Sequence, residues 1–162
     1  MGAMFLVGVV RRVRSLIQRC SRYGLGVCPS VDVLPAIGGV AWDLLQPKFR
    51  QLVWALLILS VPLWVHVGYP CTFWSAMAHF TRRRDPVADE STRLQQLVFI
   101  IFARQVGEWR VSRWRHFSFE NPPRCRSWKL DVVRDMISRF NMFLVDFDCC
   151  MYGAVDPGNG LA

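Results

Sequence analysis

LWVHVGYPCTFWS, residues 63–75, is an apolar, β-branched run that stops at Gly68 and delivers a proline and a cysteine directly after it. The run is strand-like, and the glycine and proline punctuate its end. A second short run, HFSFE at 116–120, alternates briefly and ends in Glu-Asn before two prolines. Between the two lie HFTRRRDPVADE, which reads as an exposed basic loop, and STRLQQLVFIIFARQVGEW, which reads as one long helix with start signals at Asp89, Glu90 and Ser91. Strand, loop, helix, strand is a parallel crossover unit, because parallel neighbours need a long connection that a helix usually supplies.

The same alternation extends outward. Residues 4–10 are apolar and β-branched enough for a buried strand, and RRVRSLIQRCSRYGLG sets Val13, Leu16, Ile17 and Cys20 at helical spacing with arginines on the other face. Residues 28–34 (CPSVDVL) form a candidate second strand, and Pro47 opens a helix that runs to the break at Ser60-Val61-Pro62. Towards the end, Asp131 is placed to cap DVVRDMISRF, and MFLVDFD reads as a last strand with Phe143, Val145 and Phe147 on one face. The fold class expected is therefore α/β, a doubly wound, mostly parallel sheet with helices on both faces, in a single domain over residues 1–162.

The bulk composition narrows the function classes. A chain of 162 residues that is 52% hydrophobic can bury a large core and is not a disordered tail, and its net charge of +8, carried mostly by arginine, suits a polyanionic partner. The uncharged run from Leu52 to Val65 has only fourteen residues and contains Pro62, short of the roughly 20 a membrane span requires, so a buried element is expected there. The six cysteines lack any CxxC spacing, and reduced intracellular thiols are expected. His66, Cys71 and His79 have no metal-site spacing, so no metal is expected.

In an open parallel sheet, ligands bind beyond the carboxyl ends of the strands. Three such ends carry ionisable or reactive groups here: Tyr69-Pro70-Cys71, Glu120-Asn121-Pro122 and Asp148-Cys149-Cys150. Pro-Cys after one strand and Glu-Asn after the next, with a long loop and a helix between, resembles the catalytic core of DNA (cytosine-5)-methyltransferases. The strings HVGYPCTFWS, FSFENPPRCRSW and FDCCMYG resemble more closely still the methylase-like domains of some protist mobile-element polyproteins.

That resemblance implies a Rossmann-type sheet, S-adenosylmethionine as cofactor, and DNA as partner, reached in the nucleus. It implies Cys71 as the nucleophile, Glu120 as the acid at the cytosine ring nitrogen, and Pro70 and Asn121 as residues shaping the pocket. Asp32 and Asp43 would hold the cofactor, residues 72–90 would form a mobile loop, and Arg82, Arg83 and Arg84 would meet phosphates. Tyr152-Gly153 is similar to a turn late in that family. Residues 1–30 carry Gly8 and arginines where the family has a glycine-rich loop, and Thr72 and Pro122 stand where it has glutamine and valine. No late Gln-x-Arg-x-Arg motif or target-recognition domain is found, so a truncated copy, active or degenerate, is the expectation. Two other readings stand beside it: a non-catalytic basic protein that binds nucleic acid, and a small membrane-associated protein built on Leu52 to Val65.

Overall fold

Short β-branched runs separated by long connections pair in parallel, and the strands here do so throughout. The computed structural model describes residues 3–8, 26–27, 42–68, 73–74 and 86–146, together with Arg22 and Gly24. Strands β1 (Ala3–Gly8), β2 (Gly26–Val27), β3 (Trp64–Gly68) and β4 (His116–Glu120) form one sheet in the order β2-β1-β3-β4. Every neighbouring pair is parallel. The class is therefore mixed α/β with a parallel sheet.

Among the described residues three helices accompany it: α1 (Pro47–Ser60), α2 (Pro86–Val111) and α3 (Asp131–Arg139), with a 3-10 turn over Arg126–Lys129. Pro47 takes the first turn of α1, where its missing N–H costs nothing, and Val61 closes the helix at φ 41° just before Pro62. One core joins Val53 and Leu57 of α1, Ile100, Ala103 and Val106 of α2, and Val133 and Met136 of α3 to Val65 and Val67 of β3. Trp54 of α1 meets Phe102 and Trp109 of α2 edge-on, at ring distances of 6.0 and 5.6 Å. Helix α2 comes so close to the sheet at Gly107 that a Cβ there would lie 2.7 Å from Phe140 and 2.9 Å from Phe117. Asp135 of α3 holds Arg104 of α2 at 2.7 Å and Arg139 at 2.8 Å.

The side chains of β3 and β4 divide by parity. Val65, Val67, Phe117 and Phe119 belong to the core or pack against it, whereas Trp64, His66, Ser118 and Glu120 share the opposite face. Among the described residues the helices gather on the apolar face. The basic amphipathic segment read at 11–20 and the strand read at 28–34 lie outside the described residues. Also among the described residues, no helix is long and apolar enough to cross a membrane.

Three expectations change. The segment read as a loop up to Glu90 is helical from Pro86, since proline is pre-set for a first helical position and the acidic Asp89 suits the first turn. Asp131 is the first residue of α3 and not its cap; Leu130 occupies the cap position with no side-chain hydrogen bond, and Asp131 acts through its charge at the helix start. The strand read in MFLVDFD does not form over residues 142–146. After α3 the chain turns through Asn141 at φ 49°, and Phe143 and Val145 are 90% and 73% exposed. Phe117 and Phe119 of β4 and Phe140, Met142 and Phe143 line an open surface pocket of about 430 Å³.

Candidate functional site

The pairing register levels the carboxyl ends of the central strands. Gly68, the last residue of β3, stands opposite Glu120, the last residue of β4, and Gly8, the last of β1, stands opposite Gly68. The connections leaving β3 and β4 are joined beyond that line: the Arg126 backbone N–H donates to the Trp74 carbonyl at 2.8 Å. Trp74 is buried in the core, with Phe73 edge-on to it at 5.0 Å.

The turn after β4 is fixed by its own side chains. The Asn121 amide donates to Ser127 Oγ at 2.6 Å and to Cys125 Sγ at 3.2 Å, and the Ser127 hydroxyl donates to Cys125 Sγ at 3.0 Å. The Trp128 indole N–H reaches the Pro122 carbonyl at 2.8 Å and its ring meets Phe119 edge-on. Asn121 thus braces the turn that follows Glu120. Cys125 is a free, buried thiol.

Glu120 is half-exposed, and its Oε2 lies 3.2 Å from Nε2 of His66 on the adjacent strand. The other ring nitrogen, Nδ1, is 2.8 Å from Ser118 Oγ, which also accepts the Trp64 indole N–H at 2.8 Å. The four groups form one chain of hydrogen bonds across the polar face of the sheet.

Of the other residues singled out from sequence, Asp43 is described in full. One carboxylate oxygen accepts the Leu45 backbone N–H at 3.1 Å and the other accepts the Gln46 side-chain amide at 2.9 Å. Both oxygens serve the turn that launches α1, the usual work of an aspartate in such a turn. Pro70, Cys71, Asp32, Arg82, Arg83 and Arg84 lie outside the described residues, as do Cys149 and Cys150. Among the described residues no group of three or more histidine, cysteine and acidic side chains is placed to hold a metal ion.

Comparison with protein-family models, with curated proteins and with solved structures finds no match.

Sequence reasoning missed His66 as a partner of Glu120, and Ser118 and Trp64 as the groups that continue the chain of hydrogen bonds from His66. The signal was partly present, since alternation puts Trp64 and His66 on one face of β3 and Ser118 and Glu120 on one face of β4. What the sequence lacks is the register, which sets His66 opposite Ser118 and within reach of Glu120.

Proposed function

We propose that this chain carries the catalytic core of an S-adenosylmethionine-dependent DNA (cytosine-5)-methyltransferase-like domain, on a Rossmann-type, doubly wound sheet. The observation that supports this reading most strongly is the level register of Gly68 and Glu120. Cys71 follows Gly68 by three residues, a reach of at most about 11 Å, and precedes Trp74 by three more. Since Trp74 is bonded to the turn after Glu120, both ends of the connection that carries Cys71 in the sequence are tied to the end of β4, which supports the pairing of the two residues. The strand order is a further support, because it keeps the Pro-Cys strand and the Glu-Asn strand adjacent.

The chemistry available to such a pair is specific. The Cys71 thiolate adds to carbon 6 of a cytosine ring, forming a C–S bond as the C5=C6 π pair shifts to carbon 5. The Glu120 carboxylate stabilises the ring protonated at N3, and that N3 proton, taken from solvent, neutralises the charge the ring gains. The cofactor, when bound, would supply an electrophilic methyl group to carbon 5. Loss of the carbon 5 proton to a base then re-forms the double bond and expels the thiolate. Asp43 has both oxygens engaged in its own turn, which offers no support for a cofactor contact, and no step is assigned to it. A duplex base must leave the stack to reach such a site.

Transfer of labelled methyl from S-adenosylmethionine to cytosine in DNA tests the reading. Activity in the wild-type chain, abolished by Cys71→Ser and reduced by Glu120→Gln, is expected; transfer that persists undiminished in Cys71→Ser contradicts it.

A further inference from the structure

We infer that His66 is the positioning residue for Glu120, fixing one carboxylate oxygen over the polar face at the end of β4 through the imidazole Nε2–H. The inference deepens the methyl-transfer reading and rests on it for its chemical meaning, but the hydrogen-bond chain that carries it is independent of that reading.

The direction of each bond follows from what each group can do. The Trp64 indole can only donate, so it occupies one lone pair of Ser118 Oγ at 2.8 Å. An ionised carboxylate can only accept. If Nδ1 of a neutral His66 carried the proton, the Nε2 lone pair would face the Glu120 oxygen at 3.2 Å, acceptor against acceptor. With the proton on Nε2 every contact is matched: Ser118 donates its hydroxyl hydrogen to Nδ1, 2.8 Å away, and Nε2–H donates to Glu120. When the ring is protonated, Nδ1–H turns to the second lone pair of Ser118 and Nε2–H still points at Glu120. The carboxylate therefore receives an N–H in both charge states of the ring.

Parity and register make this arrangement a property of the strands. Trp64 and His66 alternate onto the same face of β3, and Ser118, opposite His66, alternates with Glu120 on β4. A carboxylate that must meet a ring nitrogen at hydrogen-bond distance gains from such bracing, since a displacement of about 1 Å at a reacting group can cost about 100-fold in rate.

Two measurements on the full chain test the inference. In protein labelled with ¹⁵N-histidine, the His66 signal, assigned by its loss in His66→Gln, is expected at about pH 8.5 as a ring protonated at Nε2. That proton exchanges slowly, and its protection disappears in Glu120→Ala. A ring protonated at Nδ1, or an Nε2–H unaffected by Glu120→Ala, overturns the inference. In the methyl-transfer assay, His66→Ala is expected to lower kcat about 10- to 100-fold with KM for S-adenosylmethionine unchanged. His66→Gln, whose amide can still donate, should recover part of the loss. Full kcat in a folded His66→Ala chain also overturns it. A wild-type chain that transfers no methyl group sinks the methyltransferase reading, while the ring measurement still decides the pairing of His66 with Glu120.

Discussion

Arg110, in the last turn of α2, is fully buried, and its Nε, Nη1 and Nη2 have no hydrogen-bond partner among the described residues. Its guanidinium lies 4.9 Å from the centre of the Trp109 ring, and Arg113 lies over the same ring at 5.0 Å. Burial, reinforced by the charges of Arg115 and Arg113, pushes the Arg110 pKa down from the usual arginine range to about 10. At about 1.4 kcal/mol per pH unit, such a fall marks a penalty on the order of 3 kcal/mol on the charged folded form. The cation–π contact with Trp109 returns about 1 kcal/mol of it. Arg110→Met keeps an unbranched stem against Trp109 and removes the charge, and is therefore expected to stabilise the fold by about 1–3 kcal/mol. Urea unfolding of the two proteins at pH 7, followed by far-ultraviolet circular dichroism, measures the difference. The pH dependence has a definite sign. Because the folded chain holds the Arg110 proton less tightly than the unfolded chain, the penalty is complete below about pH 10 and fades as pH rises through that value. The advantage of the methionine variant should therefore be constant from pH 7 to 9 and shrink above 10. A variant destabilised by more than about 1 kcal/mol at pH 7 would refute the reasoning, since breaking a true buried ion pair is strongly destabilising.

Gly107→Ala gains about 1 kcal/mol of helix propensity but drives a methyl group into Phe140 and Phe117, both ring edges within 2.9 Å of the new carbon. Overpacking of this kind costs about 1–3 kcal/mol, so a lower urea midpoint is expected, and a higher one would show that α2 does not touch β4 there. Asn121→Ala strips a donor from Ser127 and Cys125, and should lower stability by about 1–2 kcal/mol while speeding the reaction of buried Cys125 with a thiol reagent. Unchanged Cys125 labelling would contradict the brace assigned to Asn121. Joint replacement of Arg82, Arg83 and Arg84 by alanine should reduce the salt dependence of DNA binding, with a slope of log K against log salt shallower by about 2–3. An unchanged slope would remove those arginines from the phosphate contacts. If binding survives Cys71→Ala but not the triple replacement, and no methyl transfer occurs, the non-catalytic nucleic-acid-binding reading is favoured.

Much of the scaffold was legible because local signals and tertiary packing agreed. Gly68 and Pro62 bracket β3, Pro47 opens α1, and the alternation in HFSFE marks β4, each a case where the backbone preference of a single residue type sets an element boundary. Residues 142–146 show the opposite case. MFLVDF has every β-forming feature, yet a strand needs a partner edge, and residues 142–146 pair with no described strand and leave Phe143 and Val145 exposed. Pro86 was legible in principle, as a residue favoured at a first helical position, but the arginines before it drew the boundary too late. At the candidate site, Glu120 could be marked from its place at a strand end, whereas the His66 and Ser118 contacts depend on the register between β3 and β4, which sequence alone does not encode. The aspartate at 43 shows why residue type is a weak guide to binding: a carboxylate that suits a ribose suits the turn before α1 equally well.

The methyl-transfer reading is tested most directly by DNA containing 5-fluorocytosine. Addition of Cys71 to carbon 6 and methyl transfer to carbon 5 leave fluorine where a proton would depart, so the double bond cannot re-form and the thiolate cannot leave. Incubated with S-adenosylmethionine and this DNA, the wild-type chain should form an adduct that survives denaturation and maps by peptide mass to Cys71, while Cys71→Ser forms none. A chain that binds both DNA and cofactor yet yields no adduct, or an adduct at another cysteine, would contradict it.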